Sequence, residues 1–250
     1  MAEFLYQRRV LVLFAILLLL VYFPLFLHLD YMPFRMWDES ILGINAINMM
    51  ADHNYIVTHF YGQPDIWNCK PPVMIWCIVL FSRLLGFGEL ALRLPSALAA
   101  LFLCIYLFFV LRKYTGNSVF GFLTVVILVT CNGYIRNHVT RTGEYDSLLV
   151  SFSALMAMNL FLAVQAIEKR KQSAHLFLFF IFLTLAVLTK GIACMMLMPG
   201  LFIYTLAHKR VLPFLKNKAF YAGLIFFLVF GAGYYFLRET MNHGYLQAVW

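Results

Sequence analysis

The chain alternates long uncharged runs with short polar gaps. Runs over 10–29, 94–111, 117–135, 147–167, 173–189, 191–207 and 219–237 contain no Asp, Glu, Lys or Arg. A membrane helix needs about 20 apolar residues, so the pattern predicts seven transmembrane helices. A further uncharged run, 71–82 (PPVMIWCIVLFS), is closed off by Lys70 and Arg83. It is short for a span and better suited to an interfacial or re-entrant helix. In the long gap 30–93, Ile44, Ile47 and Ala51 recur at helical spacing, with Asn45, Asn48 and Asp52 on another face. That periodicity predicts a short helix over 38–52 lying at the membrane surface. Tyr61-Gly62-Gln63-Pro64 reads as a turn, and Pro71-Pro72 suits the first turn of a second juxtamembrane helix. The first run reads as a retained span, because bulky Phe26-Leu27-His28-Leu29 stands where a signal peptide would carry small residues.

Composition agrees. The chain is 63% hydrophobic and only 12% charged, with 26 Phe and 14 Tyr, which excludes an ordinary soluble domain. Its formal charge of +8 does not point to nucleic acid, because the basic residues sit in clusters at helix ends: Arg8-Arg9, Arg112-Lys113, Lys169-Arg170-Lys171, and Lys209-Arg210 with Lys216 and Lys218. Lys and Arg mark cytoplasmic loops. If 71–82 does not cross, eleven basic residues lie inside against eight outside, and only Glu3 and Glu168 are inside acids. If it crosses, the basic counts reverse. The non-crossing arrangement is expected, as one membrane domain over 1–250 with a cytoplasmic N-terminus. The loop 30–93, the segment 136–146, Lys190 and the tail from Arg238 then share the outer face.

That face carries the candidate chemistry. A carboxylate in so apolar a chain needs a reason, and Asp38-Glu39 and Asp146 share this side. Asp38 and Glu39 also suit a helix N-terminus, where acids satisfy free N–H groups and oppose the dipole. Lys70, in Asn68-Cys69-Lys70-Pro71-Pro72, is either a snorkelling anchor or a cation held by stiff prolines to meet a lipid phosphate. Arg93, in Arg93-Leu94-Pro95-Ser96, divides between anchor and phosphate ligand. Lys190 lies between two runs too close together for a loop, so it must reach water or an anion. Arg136, His138 and Arg141 approach Asp146 along the chain. The five cysteines show no CxxC pairing and read as small buried hydrophobes.

In order, W-D-E, N-C-K-P-P, R-L-P-S-A-L, R-T-G-x-x-D and L-T-K-G resemble the integral-membrane glycosyltransferases of the GT-C superfamily. The branch resembled is that of the lipid A aminoarabinose transferases and the bacterial relatives of protein O-mannosyltransferases. The resemblance runs over essentially the whole chain and implies an all-α polytopic fold with two juxtamembrane helices in its first external loop. It also implies that 1–250 corresponds to an N-terminal portion, since such proteins are about twice as long. The implied donor is a sugar on a polyprenyl phosphate at the outer face of the bacterial inner membrane. The implied acceptor is lipid A or another envelope glycan, with inversion at the anomeric carbon. Asp38 would be the general base and Asp146 would orient acceptor or sugar. Lys70 would lead on the lipid phosphate, with Glu39, Arg93, Arg141 and Lys190 as further substrate-binding residues. Cys69 stands where aminoarabinose-branch relatives carry a metal-associated Glu, and no metal or other cofactor is expected. A protein acceptor, an inactive scaffold and a polyprenyl-lipid transporter are the alternatives. The charge-free spans speak against the transporter.

Overall fold

The computed structural model describes residues 2–136 and 138–249. Its elements are α1 (Ala2–Phe26), α2 (Asp38–Asp52), β1 (His59–Phe60), β2 (Gln63–Pro64), α3 (Val73–Leu85), α4 (Glu89–Thr115), α5 (Ser118–Thr130), α6 (Asn132–Ile135), α7 (Asp146–Gln165) and α8 (Lys169–Lys190). A 3-10 segment (Gly191–Leu197) leads to α9 (Met198–Ala207), α10 (Val211–Leu215) and α11 (Lys218–Phe226). A π-helical stretch (Phe227–Ala232), α12 (Gly233–Met241) and α13 (Tyr245–Val249) follow. The antiparallel pair β1–β2 closes on Tyr61 and Gly62, both at positive φ, where a turn was expected.

Five helical stretches are long and apolar enough to cross a membrane: Tyr6–Phe26, Glu89–Thr115, Asp146–Gln165, Lys169–Ala207 and Lys218–Met241. This is an α-helical, multi-pass membrane protein. The 39-residue stretch Lys169–Ala207 holds two of the expected spans, parted where Gly191 takes φ +62. A left-handed residue there breaks the ladder, and glycine adopts it without a Cβ penalty. α5 is shorter than its apolar run, because Cys131 is extended (φ −71, ψ 120) and the chain restarts as α6. α3, like α5, has 13 residues, short for a span at 1.5 Å per residue.

The chain forms two compact units, residues 1–40 with 80–147 and residues 41–79 with 148–250. In the first, Phe14 of α1 packs against Phe108 and Phe109 of α4, with ring centroids 5.5 and 5.1 Å apart. The Arg112 guanidinium lies over the Tyr6 ring, joining the basic ends of α1 and α4. At the opposite end of α1, Arg141 donates to the carbonyls of Pro24 and Leu27. The unit therefore keeps its Arg8/Arg9 and Arg112/Lys113 clusters at one end and the segment around 141 at the other.

The second unit is built on a core of Met156, Leu160 and Val164 from α7 with Leu176, Phe180, Leu183 and Val187 from α8. These recur every three or four residues, the spacing of one helix face. Gln165 bonds to the Tyr204 hydroxyl, and Ser173 and Asn217 exchange side-chain hydrogen bonds. Lys169–Lys171, the end of α9 and the start of α11 thus meet at one end, while Lys190 lies at the far end of α8. Apolar side chains such as Leu11, Leu19, Ile203 and Val229 stand exposed, whereas Ser96, Ser147, Asn159 and Thr184 are buried. Lipid is an apolar solvent, so polar groups gather inside where they find partners.

Candidate functional site

The first unit holds Asp38, Glu39, Arg93, Arg141 and Asp146. Asp38 and Glu39 begin α2 immediately after Trp37, whose φ of +86 turns the chain sharply into the helix. The two acids part company there. Glu39 is fully buried (0% exposed), while the Asp38 carboxylate is about half exposed (48%).

Glu39 accepts from four N–H groups. Oε1 receives Arg93 Nε at 2.8 Å and the Gly143 amide at 2.9 Å, and Oε2 receives Arg93 Nη2 at 2.9 Å and the Arg35 amide at 2.8 Å. Burial pushes its carboxyl upward, but the Arg93 and backbone hydrogen bonds outweigh this and hold it below the ordinary carboxylate range. Arg93 in turn donates through Nη1 to the carbonyls of Leu29 (2.9 Å) and Met32 (2.7 Å), and through Nη2 to Pro33 (3.0 Å). With the two bonds to Glu39, all five guanidinium N–H donors are engaged by protein. Between the anchor and phosphate-ligand readings of Arg93, the geometry supports the anchor. The pair ties α4, the end of α1 and the start of α2 into one frame.

Gly143 supplies the third strand of that frame. A Cβ at this position would stand 3.0 Å from the Leu92 carbonyl oxygen and 3.1 Å from the Leu92 side chain. Glycine suits this close approach to α4, which brings the Gly143 amide to Glu39, since a Cβ would press on Leu92. Ser96 Oγ donates to the Glu144 carbonyl (3.1 Å) and Ser147 Oγ to the Ser96 carbonyl (2.6 Å), so R-L-P-S and R-T-G-x-x-D lock to each other. Gly143→Ala should cost roughly 1–3 kcal/mol through this overpacking. Thermal unfolding of the purified variant measures it, and an unchanged melting temperature would count against the tight approach.

Beside the frame, His138 Nδ1 lies 2.7 Å from Glu144 Oε2 and 3.8 Å from Asp38 Oδ2. His138 sits at φ +71, in a region that L-residues visit rarely. Glu144 is nearly buried, and burial raises its carboxyl above the ordinary range. The His138 bond opposes that rise, while the charges of Asp38 and Asp146 add to it. Asp146, the first residue of α7, is half-buried. The structure thus brings Asp38, Glu144 and Asp146 into one electrostatic neighbourhood. Asp38, His138 and Glu144 each offer one ligand atom, all within 4.8 Å of one another, so among the described residues they could hold a metal ion.

Glu144 is an unspecified position within R-T-G-x-x-D, and His138 precedes that motif with no role of its own in the sequence pattern. Their signal is local, since T-G-E-Y-D places Glu144 one residue after the glycine that bonds Glu39. That His138 folds back on Glu144 needs the turn at φ +71, which no spacing announces.

Lys70 and Lys190 belong to the second unit. Lys70 is exposed and follows a loop that polar residues shape. Asp65 Oδ1 accepts the amides of Trp67 and Asn68, and Asn45 donates to Asp65 Oδ2 (3.0 Å) and accepts from Asn68 Nδ2 (2.8 Å). The chain's tail supports the same loop. Arg238, fully buried, donates to Thr58 Oγ1 (2.6 Å) and stacks on Tyr245, whose hydroxyl reaches the Cys69 carbonyl (2.8 Å). Cys69 bonds the carbonyls of Ile66 and Ala248. Lys190 is half-buried at the end of α8, before the break at Gly191.

The fold and these motifs define a GT-C-type membrane protein. It is similar in structure to ArnT from Cupriavidus metallidurans in the apo state (TM-score 0.76, 19% identity, 96% of this chain and 43% of that one). The same protein bound to undecaprenyl phosphate matches with a TM-score of 0.73, at 19% identity over 94% of this chain and 42% of that one. The model of the dolichyl-phosphate-mannose-protein mannosyltransferase family matches residues 69–235, and the chain belongs to that family. It is 28% identical to an uncharacterised Aquifex aeolicus protein over 92% of this chain and 44% of that one. It is 25% identical to YycA of Bacillus subtilis, proposed to be a mannosyltransferase, over 71% of this chain and 26% of that one. The chain thus spans less than half the length of the curated relatives it matches.

Proposed function

We propose that the chain carries the donor and acceptor site of a membrane glycosyltransferase that takes a sugar from a polyprenyl phosphate. The observation behind this reading is the half-exposed Asp38 carboxylate, fixed at the first turn of α2 by its buried neighbour Glu39. A base must stay within hydrogen-bond reach of the hydroxyl it deprotonates, and an anchored neighbour gives that position without using Asp38 itself. Asp38 takes the proton as the acceptor hydroxyl attacks the anomeric carbon, and Asp146 orients acceptor or sugar. The departing phosphodiester is a weak base, so cations suffice for it. Lys70 is the first of these and Lys190 a second, while Glu39, Arg93 and Arg141 build the site. A single displacement inverts the anomeric centre.

Family membership and the undecaprenyl phosphate held by ArnT support the donor class. The acceptor proposed is lipid A or another envelope glycan. A protein hydroxyl is the second reading, favoured by the family's description. The reaction needs no metal in this scheme. The test supplies radiolabelled polyprenyl-phosphate sugars to membranes carrying the chain and extracts lipid, glycan and protein fractions. Label appearing in one fraction above empty membranes supports the reading and names the acceptor class. No transfer to any fraction counts against it.

We place the chain in the bacterial inner membrane as a single domain, with Asp38 and Asp146 on the external face, because the basic helix ends then lie inside. In a background without the native cysteines, Thr115→Cys should resist a membrane-impermeant thiol reagent added to intact cells. Efficient labelling would invert the topology.

A further inference from the structure

The second unit buries a guanidinium with no carboxylate to answer it. Arg238 of α12 is fully buried, and no acid pairs with it among the described residues. Its hydrogen bonds go to neutral acceptors. Nη1 donates to the Ile56 carbonyl (3.3 Å) and the Tyr234 hydroxyl (3.1 Å), and Nη2 to Thr58 Oγ1 (2.6 Å) and the Asp65 carbonyl (3.3 Å). Taking a charge out of water is costly, and neutral acceptors offset less of that cost than a carboxylate would. The position of the acceptors shows what is gained. Ile56, Thr58 and Asp65 flank the β1–β2 hairpin, and Asp65 begins the loop that delivers Cys69 and Lys70.

The guanidinium also lies over the Tyr245 ring, 4.6 Å from its centroid, a cation–π contact that burial strengthens. Glu239 sets that ring in place, because its carboxylate accepts the amides of Gly244 (2.9 Å) and Leu246 (2.7 Å) and turns α13 back on α12. Tyr245 then reaches in two directions. Its hydroxyl donates to the Cys69 carbonyl (2.8 Å), one residue before Lys70, and its ring stacks on Tyr235 with centroids 6.1 Å apart. Tyr235 extends the contact to the end of α8. A Cβ on Gly191, the residue after Lys190, would stand 3.2 Å from the Tyr235 hydroxyl. The backbone beside Lys70 and the backbone beside Lys190 are therefore joined through two stacked tyrosines that Arg238 anchors.

We propose that Tyr245, Tyr235 and Arg238 are positioning residues that hold Lys70 and Lys190 at the spacing one leaving phosphate requires. The inference rests on the assignment of both lysines to that phosphate under the proposed function. A lysine is a compact charge on a flexible stem, so its backbone must be fixed before it can meet charge where charge develops. The tyrosines act through the lysines and do not themselves touch the donor.

Tyr245→Phe is the variant that tests this, because it deletes one hydroxyl and keeps both ring contacts. Arg238→Met would strip four acceptors at once and threaten folding. Two measurements use the purified full chain in detergent. In hydrogen–deuterium exchange, the Trp67 and Asn68 amides, bonded to Asp65, should exchange about fivefold faster, the effect of losing one hydrogen bond. Equilibrium binding of radiolabelled farnesyl phosphate gives the second readout. Tyr245→Phe should weaken it about fivefold in the wild-type background and leave it unchanged beside Lys70→Met, since a residue acting through Lys70 then has nothing left to position. Equal losses in both backgrounds would make Tyr245 a support of the fold and overturn the positioning role. Unchanged exchange at Trp67 and Asn68 would overturn it too. Tyr235→Leu should show the same non-additivity with Lys190→Met, and an additive loss there would overturn the link to Lys190. A wild-type chain that binds no farnesyl phosphate would remove the lysine assignment and this inference together, so the two failures are told apart.

Discussion

Arg93→Met should lower stability by about 3–5 kcal/mol, because it leaves the Glu39 carboxylate buried with its charge partner removed. The same change frees the carbonyls of Leu29, Met32 and Pro33, which the guanidinium now satisfies. An apparent melting temperature lower by on the order of 10 °C is expected in detergent. Glu39→Leu combined with Arg93→Met should recover part of that loss, since a matched apolar pair removes both desolvation penalties. A single variant that melts like the wild type would show that the pair holds little. The pH dependence has a definite sign. Glu39 is held below its ordinary range, so the unfolded state binds a proton more readily. The pair's contribution is full above the unfolded value and is lost as pH falls through the folded one. Acid unfolding of the wild type should therefore be steeper than that of the double variant below about pH 4.5.

Much of this architecture is written in the chain's polarity pattern. The 38–52 helix matches α2 because Ile44, Ile47 and Ala51 share a helical spacing. Yet Asn45 is buried, while Ile44 and Ile47 are 36% and 41% exposed. Periodicity finds the faces, but in a membrane protein the apolar one can look outward to lipid. The apolar runs also understate helix length. α4 begins at Glu89 and carries Arg93 inside it, since a charged residue with five hydrogen bonds to protein does not end a helix. Asp38, Asp146 and Lys70 stand out in the sequence as candidates, polar residues that an apolar chain has little reason to keep. The joining of Glu39 to Arg93, 54 residues apart, does not, because nothing local distinguishes an arginine that meets a carboxylate from one that meets a phosphate. The His138–Glu144 contact was hidden for a different reason, since it depends on a backbone conformation that histidine seldom takes.

Asp38→Asn should lower sugar transfer by about 10²–10⁴-fold, the range for removing a positioned general base, with the fold left intact. The amide keeps the shape of the carboxylate but cannot take the hydroxyl proton. Asp38 makes no bond to the Glu39–Arg93 frame, and its side chain is half exposed, so the melting temperature should move by less than about 1 kcal/mol equivalent. That separates this variant from Arg93→Met, which should lose activity together with stability. His138 offers the sharper test of how Asp38 works. Its Nδ1 lies within a hydrogen bond of Glu144 but 3.8 Å from Asp38, so His138→Ala should weaken transfer far less than Asp38→Asn. If instead Asp38, His138 and Glu144 act together on a metal ion, each single substitution should be comparably damaging and a chelator should abolish transfer. A base acting alone predicts chelator-resistant activity that depends steeply on Asp38 and only mildly on its neighbours. Asp38→Asn membranes that transfer sugar at the wild-type rate would remove the residue from the chemistry altogether and leave Asp146 as the carboxylate to examine.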